Sequence, residues 1–245
     1  MLSAMRPGPV PEELETGWRT VAGDYDVSST AKSGFNLDAA LALKNLRLRR
    51  PMLQWRTELE QFCQFLIDRK VQSFLEIGVG SGQLSVVIKD VLNIGKVYAC
   101  DVNWPPLLRE RGDIPFFHGD HHSASYPAWR EALGPVDMVF IDADHECGFR
   151  LDYTIELAFP HKYIAFHDVS NLAYPALHEF WNKEVDGNKV TLINTDANIR
   201  FGVPELTYPF LNLQSPDELE RWFGRSCGIG ICWDTPGSAQ RDAKS

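Results

Sequence analysis

The chain has 245 residues, 44% hydrophobic and 23% charged, which is ordinary for a soluble globular protein and enough for one α/β domain with decoration. A formal charge of −9 argues against nucleic acid or an anionic membrane as the main partner. No apolar run approaches membrane-spanning length, so no membrane partner is expected.

Residues 1 to about 35 are rich in Pro, Gly, Ser and acids and read as an arm with weak intrinsic structure. Pro7, Pro9 and Pro11 interrupt any apolar leader, so the expected location is cytoplasmic. The five cysteines, Cys63, Cys100, Cys147, Cys227 and Cys232, form no C-x-x-C pair and fit reduced thiols in that compartment. A helical segment is expected from Asn36 to Arg50, with the basic run Lys44 to Arg50 read as a solvated helix end. After Pro51, Trp55, Leu59, Phe62 and Leu66 recur on one face of an amphipathic helix. This divides the chain into an arm, lid or oligomerisation segment (1–50), a main domain (51–233) and a polar, disordered tail (234–245).

Phe74 to Ile77 is an apolar run of strand length that contains an acid, Glu76, and leads into Gly78, Gly80 and Gly82. Such a run followed at once by glycines reads as a buried parallel strand entering a tight turn. Leu84, Val86, Val87, Ile88, Val91 and Leu92 suit the helix that follows, and together these make a cofactor loop. A dinucleotide fingerprint needs G-x-G-x-x-G, but here the order is G-x-G-x-G, with Gln83 where the third glycine belongs. An NAD-dependent enzyme is therefore disfavoured. Glu76 would repel a pyrophosphate and suit a ligand bearing positive charge and hydroxyls.

Further strands are expected at Lys96 to Val102, Ile114 to Phe117, Val136 to Ile141, Tyr163 to Phe166, Lys189 to Ile193 and Gly228 to Trp233, most of them alternating with helices. That alternation predicts a doubly wound, mostly parallel Rossmann-like sheet, with 194–225 inserted over one end. A single Asp after a strand is usually a turn former. Here acids end five successive strands, Glu76, Asp101, Asp120, Asp142 and Asp168, and at the carboxyl edge of such a sheet they would line one crevice. Asp101 follows Glu76 by about 25 residues, near the spacing at which an acid grips ribose hydroxyls. Asp142-Ala143-Asp144-His145 and His167-Asp168 sit at the ends of strands expected to be adjacent, roughly 5 Å apart. They could converge on a hard divalent cation such as Mg²⁺, or with a histidine ligand on Mn²⁺, Fe²⁺ or Zn²⁺.

The run Glu76, Gly78, Gly80, Gly82 resembles the first motif, E/D-x-G-x-G-x-G, of the class I S-adenosylmethionine (SAM) methyltransferases. The segments FIDADH and FHDV resemble the metal-dependent O-methyltransferase branch, which includes catechol-type enzymes, antibiotic-pathway sugar O-methyltransferases and cephalosporin-hydroxylation relatives. The likeness covers roughly residues 54 to 170. It implies the SAM methyltransferase fold, with the last strand antiparallel, and methyl transfer to a hydroxyl of a small molecule. By position it gives Asp101 to the ribose of SAM and Asp120 to the adenine amino group. It gives Asp142, His167 and Asp168 to the metal, and His145, three residues beyond the first ligand, to the base. The branch shows Asp-Asn or Glu-Asp where this chain has His167-Asp168, so His167 is either a ligand or a group that orients Asp168. A homo-oligomer is a further family expectation, with the arm as the joining piece.

His121-His122 is read as a solvated pair, and His118 and His178 as structural. Trp104 and Tyr126 are more simply core residues than adenine contacts. Two other functions stay open: a methyltransferase without metal, and a non-catalytic SAM-fold protein for binding or assembly. The acceptor is not legible.

Overall fold

The computed structural model describes residues 34–46, 54–171, 173–193 and 227–235. Most of the expected arm, the insertion 194–225 and the tail beyond residue 235 lie outside the described residues. Seven strands form one sheet: β1 (Ser73–Ile77), β2 (Lys96–Asp101), β3 (Phe116–His118), β4 (Val136–Ile141), β5 (His161–Phe166), β6 (Asn188–Leu192) and β7 (Ile229–Trp233). Their order is β3-β2-β1-β4-β5-β7-β6. The β1–β2, β1–β4, β2–β3 and β4–β5 pairs are parallel, whereas β7 runs antiparallel to both neighbours. This is the expected Rossmann-like methyltransferase fold.

The central strands are buried on both sides, as parallel strands covered by crossover helices must be. Phe74, Met138, Phe140 and Ala165 pack into one hydrophobic layer with Leu59, Phe62, Leu66, Val87 and Ile88. These come from α2 (Arg56–Asp68) and from α3 (Gln83–Val86) with the π-helical turn Val87–Val91 that continues it. α4 (Pro106–Arg111) adds Leu108 to the same layer. The alternate residues Leu75, Ile77, Val139, Ile141, Ile164 and Phe166 face a second layer. There α5 (Tyr126–Ala132), α6 (Phe149–Leu157) and α7 (Pro175–Lys183) supply Tyr126, Phe149, Tyr153, Leu177, Phe180 and Trp181. The period-two alternation of the strands thus sorts their side chains between the layers.

Local chemistry sets the element ends. α1 (Leu37–Leu43) begins at Asn36, whose side chain accepts the Ala39 N–H at 2.8 Å. The expected face of α2 is buried through Leu59, Phe62 and Leu66, with Trp55 just ahead of its first turn. β3 begins two residues later than expected: Pro115 has no N–H to give the ladder, although its carbonyl accepts from Ala99. β5 begins two residues earlier, at His161 opposite Val136. Past β7, Thr235 is buried and its hydroxyl meets His161 Nε2 at 3.1 Å. All five cysteines are unpaired, and Cys147 alone of them is exposed. No helix among the described residues is long and apolar enough to cross a membrane.

Candidate functional site

In this strand order the direction of travel reverses between β1 and β4, where open α/β sheets leave a crevice. The two strand ends meet closely there. Asp142 N donates to the Ile77 carbonyl at 2.8 Å, and Gly78 N to the Cys100 carbonyl at 2.9 Å. Gly78 holds φ +83°, and a Cβ on it would stand 2.2 Å from the Asp142 carbonyl oxygen. Only glycine lets the loop lie on the end of β4 in this way. Gly80, at φ +53°, has open space where a Cβ would be, so the loop's free face is there.

The acids on the loop side are engaged with the protein itself. Asp101 Oδ2 accepts from Val79 N at 2.7 Å and Gly80 N at 3.1 Å, and its Oδ1 accepts from Asn103 N at 2.7 Å. The carboxylate at the end of β2 therefore shapes the glycine loop. Glu76 shares its strand face with Phe74, the side covered by α3, and it is buried with Ser85 Oγ donating to it. Burial foremost pushes its carboxyl up to about 8; the Ser85 hydrogen bond opposes this, while the negative fields of Asp142 and Asp101 add to it. Glu76, expected to present a carboxylate to a cofactor, lies beneath the loop against Ser85, where burial favours its protonated form. Asp120 is exposed and accepts the His122 N–H at 2.8 Å, which closes a turn after β3.

Beyond β4 and β5 four side chains converge. His145 Nε2 lies 3.0 Å from both Asp142 Oδ1 and Asp168 Oδ2. His167 Nδ1 lies 3.3 Å from Asp142 Oδ1 and 3.0 Å from Asp168 Oδ2. One donor atom from each of the four falls within 4.8 Å of the others, a spacing at which a metal ion could be held. Two carboxylates and two imidazoles are a donor set that fits a divalent cation. His167 Nε2 is buried without a hydrogen-bond partner. Asp144, by contrast, stays out of the cluster and accepts the Glu146 and Cys147 N–H groups of the next turn.

The four charges balance one another. Burial alone would raise the Asp142 and Asp168 carboxyls, but the two histidines hold both below the usual carboxylate range. Burial disfavours charge on the histidines as well, yet the paired carboxylates raise His145 to about 10 and His167 well above an ordinary imidazole. Without a cation the carboxylates therefore favour the protonated form of both rings.

Two residues that support this cluster were not picked out from the sequence. Asn171 Nδ2 donates to Asp168 Oδ1 at 2.7 Å, holding a carboxylate whose backbone sits at φ +64°. Tyr174 stacks on the His145 ring at 4.8 Å between centroids. Their signal was proximity to HDV at the end of β5, one or two turns on. The adjacent histidines after β3 also differ from expectation: His121 is buried, 3.0 Å from Asp152 and 3.3 Å from Glu156. Tyr126 is core, as expected, with its hydroxyl donating to Glu156 at 2.6 Å. Trp104 is 42% exposed and stacks on Phe116.

No family model and no curated protein matches the chain. Among solved structures, the chain is similar to the MycE methyltransferase of the mycinamycin biosynthetic pathway in complex with Mg and SAH, at 20% identity and a TM-score of 0.45, over 72% of this chain and 51% of that one. It is also similar to the SAH-bound methyltransferase PaMTH1 of Podospora anserina, at 14% identity and a TM-score of 0.48, over 93% and 99% of the two chains. Cofactor-bound Rv0187 from MTB is similar at 15% identity and a TM-score of 0.48, over 93% and 98%. The chain spans between 40% and 52% of the length of the MycE chains it matches.

Proposed function

We propose that this chain is a SAM-dependent O-methyltransferase for a small hydroxylated acceptor, assisted by a divalent cation at Asp142, His167 and Asp168. The observation that carries the reading is the meeting of the glycine loop with the four-residue cluster at one switch point, Gly78 resting on Asp142. When bound, SAM would supply an electrophilic methyl group, and a cation such as Mg²⁺ would make an acceptor hydroxyl more acidic.

The chain's own residues then have distinct tasks. The loop Gly78 to Gly82, with Asp101 behind it, would receive the nucleoside, and Asp120, two residues past β3, would meet the adenine amino group. Asp142 and Asp168 would hold the cation, and His167, the most deeply buried member, would complete the set. His145 is the more exposed of the two histidines, with 18% of its side chain accessible against 2% for His167. It could therefore reach an acceptor, and its Nε2 would take the hydroxyl proton while the methyl group came from bound SAM. That role needs a neutral ring. Sharing Asp142 and Asp168 with a cation would weaken their hold on the His145 proton and favour the neutral imidazole. In-line displacement otherwise needs alignment above all, which the stacked Tyr174 ring gives His145.

The charge balance of the cluster favours a second reading, in which two imidazolium–carboxylate pairs position the acceptor with no cation. Product formation from SAM and a panel of hydroxylated small molecules, followed by mass after EDTA and again with added Mg²⁺, separates the two. Loss on chelation and recovery with Mg²⁺ is expected; full activity in EDTA removes the cation. Calorimetry that shows no SAM binding removes the whole reading.

A further inference from the structure

A second cluster lies apart from the residues assigned above to the cation. We infer that His121, His122 and Asp152 form a separate divalent-cation site of the zinc-binding type, which staples the loop after β3 to α6.

One donor atom from each of the three lies within 4.8 Å of the others. His121 Nδ1 is 3.0 Å and His122 Nε2 is 2.5 Å from the same oxygen, Asp152 Oδ1. The other oxygen, Asp152 Oδ2, is buried with no hydrogen-bond partner, on a residue only 1% exposed. A buried carboxylate with one oxygen crowded by two imidazoles and the other bare is poorly satisfied by protons alone. An ion that both imidazoles and the carboxylate could face would resolve the mismatch.

What stands behind the imidazoles points the same way. A metal-bound histidine characteristically turns its other ring nitrogen to a carboxylate or carbonyl, which fixes the ring and its tautomer. His121 Nε2 faces Glu156 Oε1 at 3.3 Å. Glu156 is itself fixed by Tyr126 OH at 2.6 Å and by Arg130 Nε at 2.9 Å. His122 turns Nδ1 towards Asp120 Oδ1 at 4.0 Å. Asp152 and Glu156 are one turn apart on α6, so the helix presents a ligand and the carboxylate that supports another ligand.

Two imidazoles and a carboxylate suit Zn²⁺ with a fourth position left open. Bonds near 2.0 Å in a tetrahedral site set donor atoms about 3.3 Å apart. The 3.0 Å edge is close to that, and the 2.5 Å edge requires His122 to withdraw slightly. His122 is free to do so, with 30% of its side chain accessible.

The test uses the full chain, stripped of metal and titrated with Zn²⁺, with bound metal counted after gel filtration. H122A, at the surface, is expected to lose one equivalent of Zn²⁺ relative to the natural chain, through an affinity loss of about 100-fold. H118A, which removes an exposed histidine outside the cluster, is expected to lose none. The D142N/D168N chain is expected to keep the equivalent that H122A loses, so failure of the cation reading at β4 and β5 leaves this result standing. Equal Zn²⁺ binding by H122A and the natural chain overturns the site, as does an equal loss in H118A. Thermal unfolding gives an independent readout, because Zn²⁺ should raise the midpoint of the natural chain more than that of H122A; an equal rise also overturns the site.

Discussion

The two sides of the switch point place acids at equivalent strand ends and treat them differently. On the β1 and β2 side, Asp101 is bound by three backbone N–H groups and Glu76 by the Ser85 hydroxyl. On the β4 and β5 side, Asp142 and Asp168 meet the rings of His145 and His167, and Asp168 also the Asn171 amide and the Cys227 thiol. Backbone amides cannot give up their protons, so the first pair gives a fixed shape. Imidazoles can, so the second pair gives a charge that can be exchanged. Acids near the strand ends are thus held by fixed donors on one side and by titratable rings on the other.

The largest expected effect breaks the seam between the sides. Gly78→Ala drives a Cβ into the Asp142 carbonyl, so a loss on the order of 4 kcal/mol in denaturant unfolding, together with loss of SAM binding by calorimetry, is expected. Gly80→Ala, two residues on, meets nothing within 4 Å and should cost only the left-handed backbone penalty, about 1 kcal/mol. Equal costs at the two positions would mean that the seam does not carry the loop.

Next comes the exchangeable side. His145→Ala is expected to lower turnover by about 10² to 10⁴ while the dissociation constant for SAM stays within about twofold. An unchanged rate would move the base elsewhere.

The smallest effect reads the scaffold side through pH. The folded pKa of Glu76, raised from 4.5 to about 8, makes the native state bind the proton more tightly than the unfolded chain does. Its contribution to stability is full below about pH 4.5, declines as pH rises through this window and is gone above about 8. Glu76→Gln should flatten that part of the melting-temperature profile, and a profile that stays parallel to the natural chain would place the titration on another group.

Much of this was legible in the chain. The glycine spacing gave the loop, and the apolar runs at Phe74, Val136 and Tyr163 gave the central strands with their acidic ends. The direction of Glu76 was not legible. β1 is buried along its whole length, so no polar and apolar alternation marks which residues face α3. The burial of His121 was not legible for a related reason: its partners are 31 and 35 residues downstream on α6, and nothing local distinguishes a buried histidine from its exposed neighbour His122. The start of β3 is hidden in the sequence because Pro115 extends the apolar run while giving no N–H to the ladder.

The left-handed backbone of Asp168 narrows what evolution or an engineer could place there. Short side chains that can bond back to their own chain tolerate that conformation, whereas lengthening the acid by one carbon would add strain before any question of ligand geometry arose. Aspartate is thus the acid the position can hold, and asparagine the neutral replacement that leaves its backbone undisturbed.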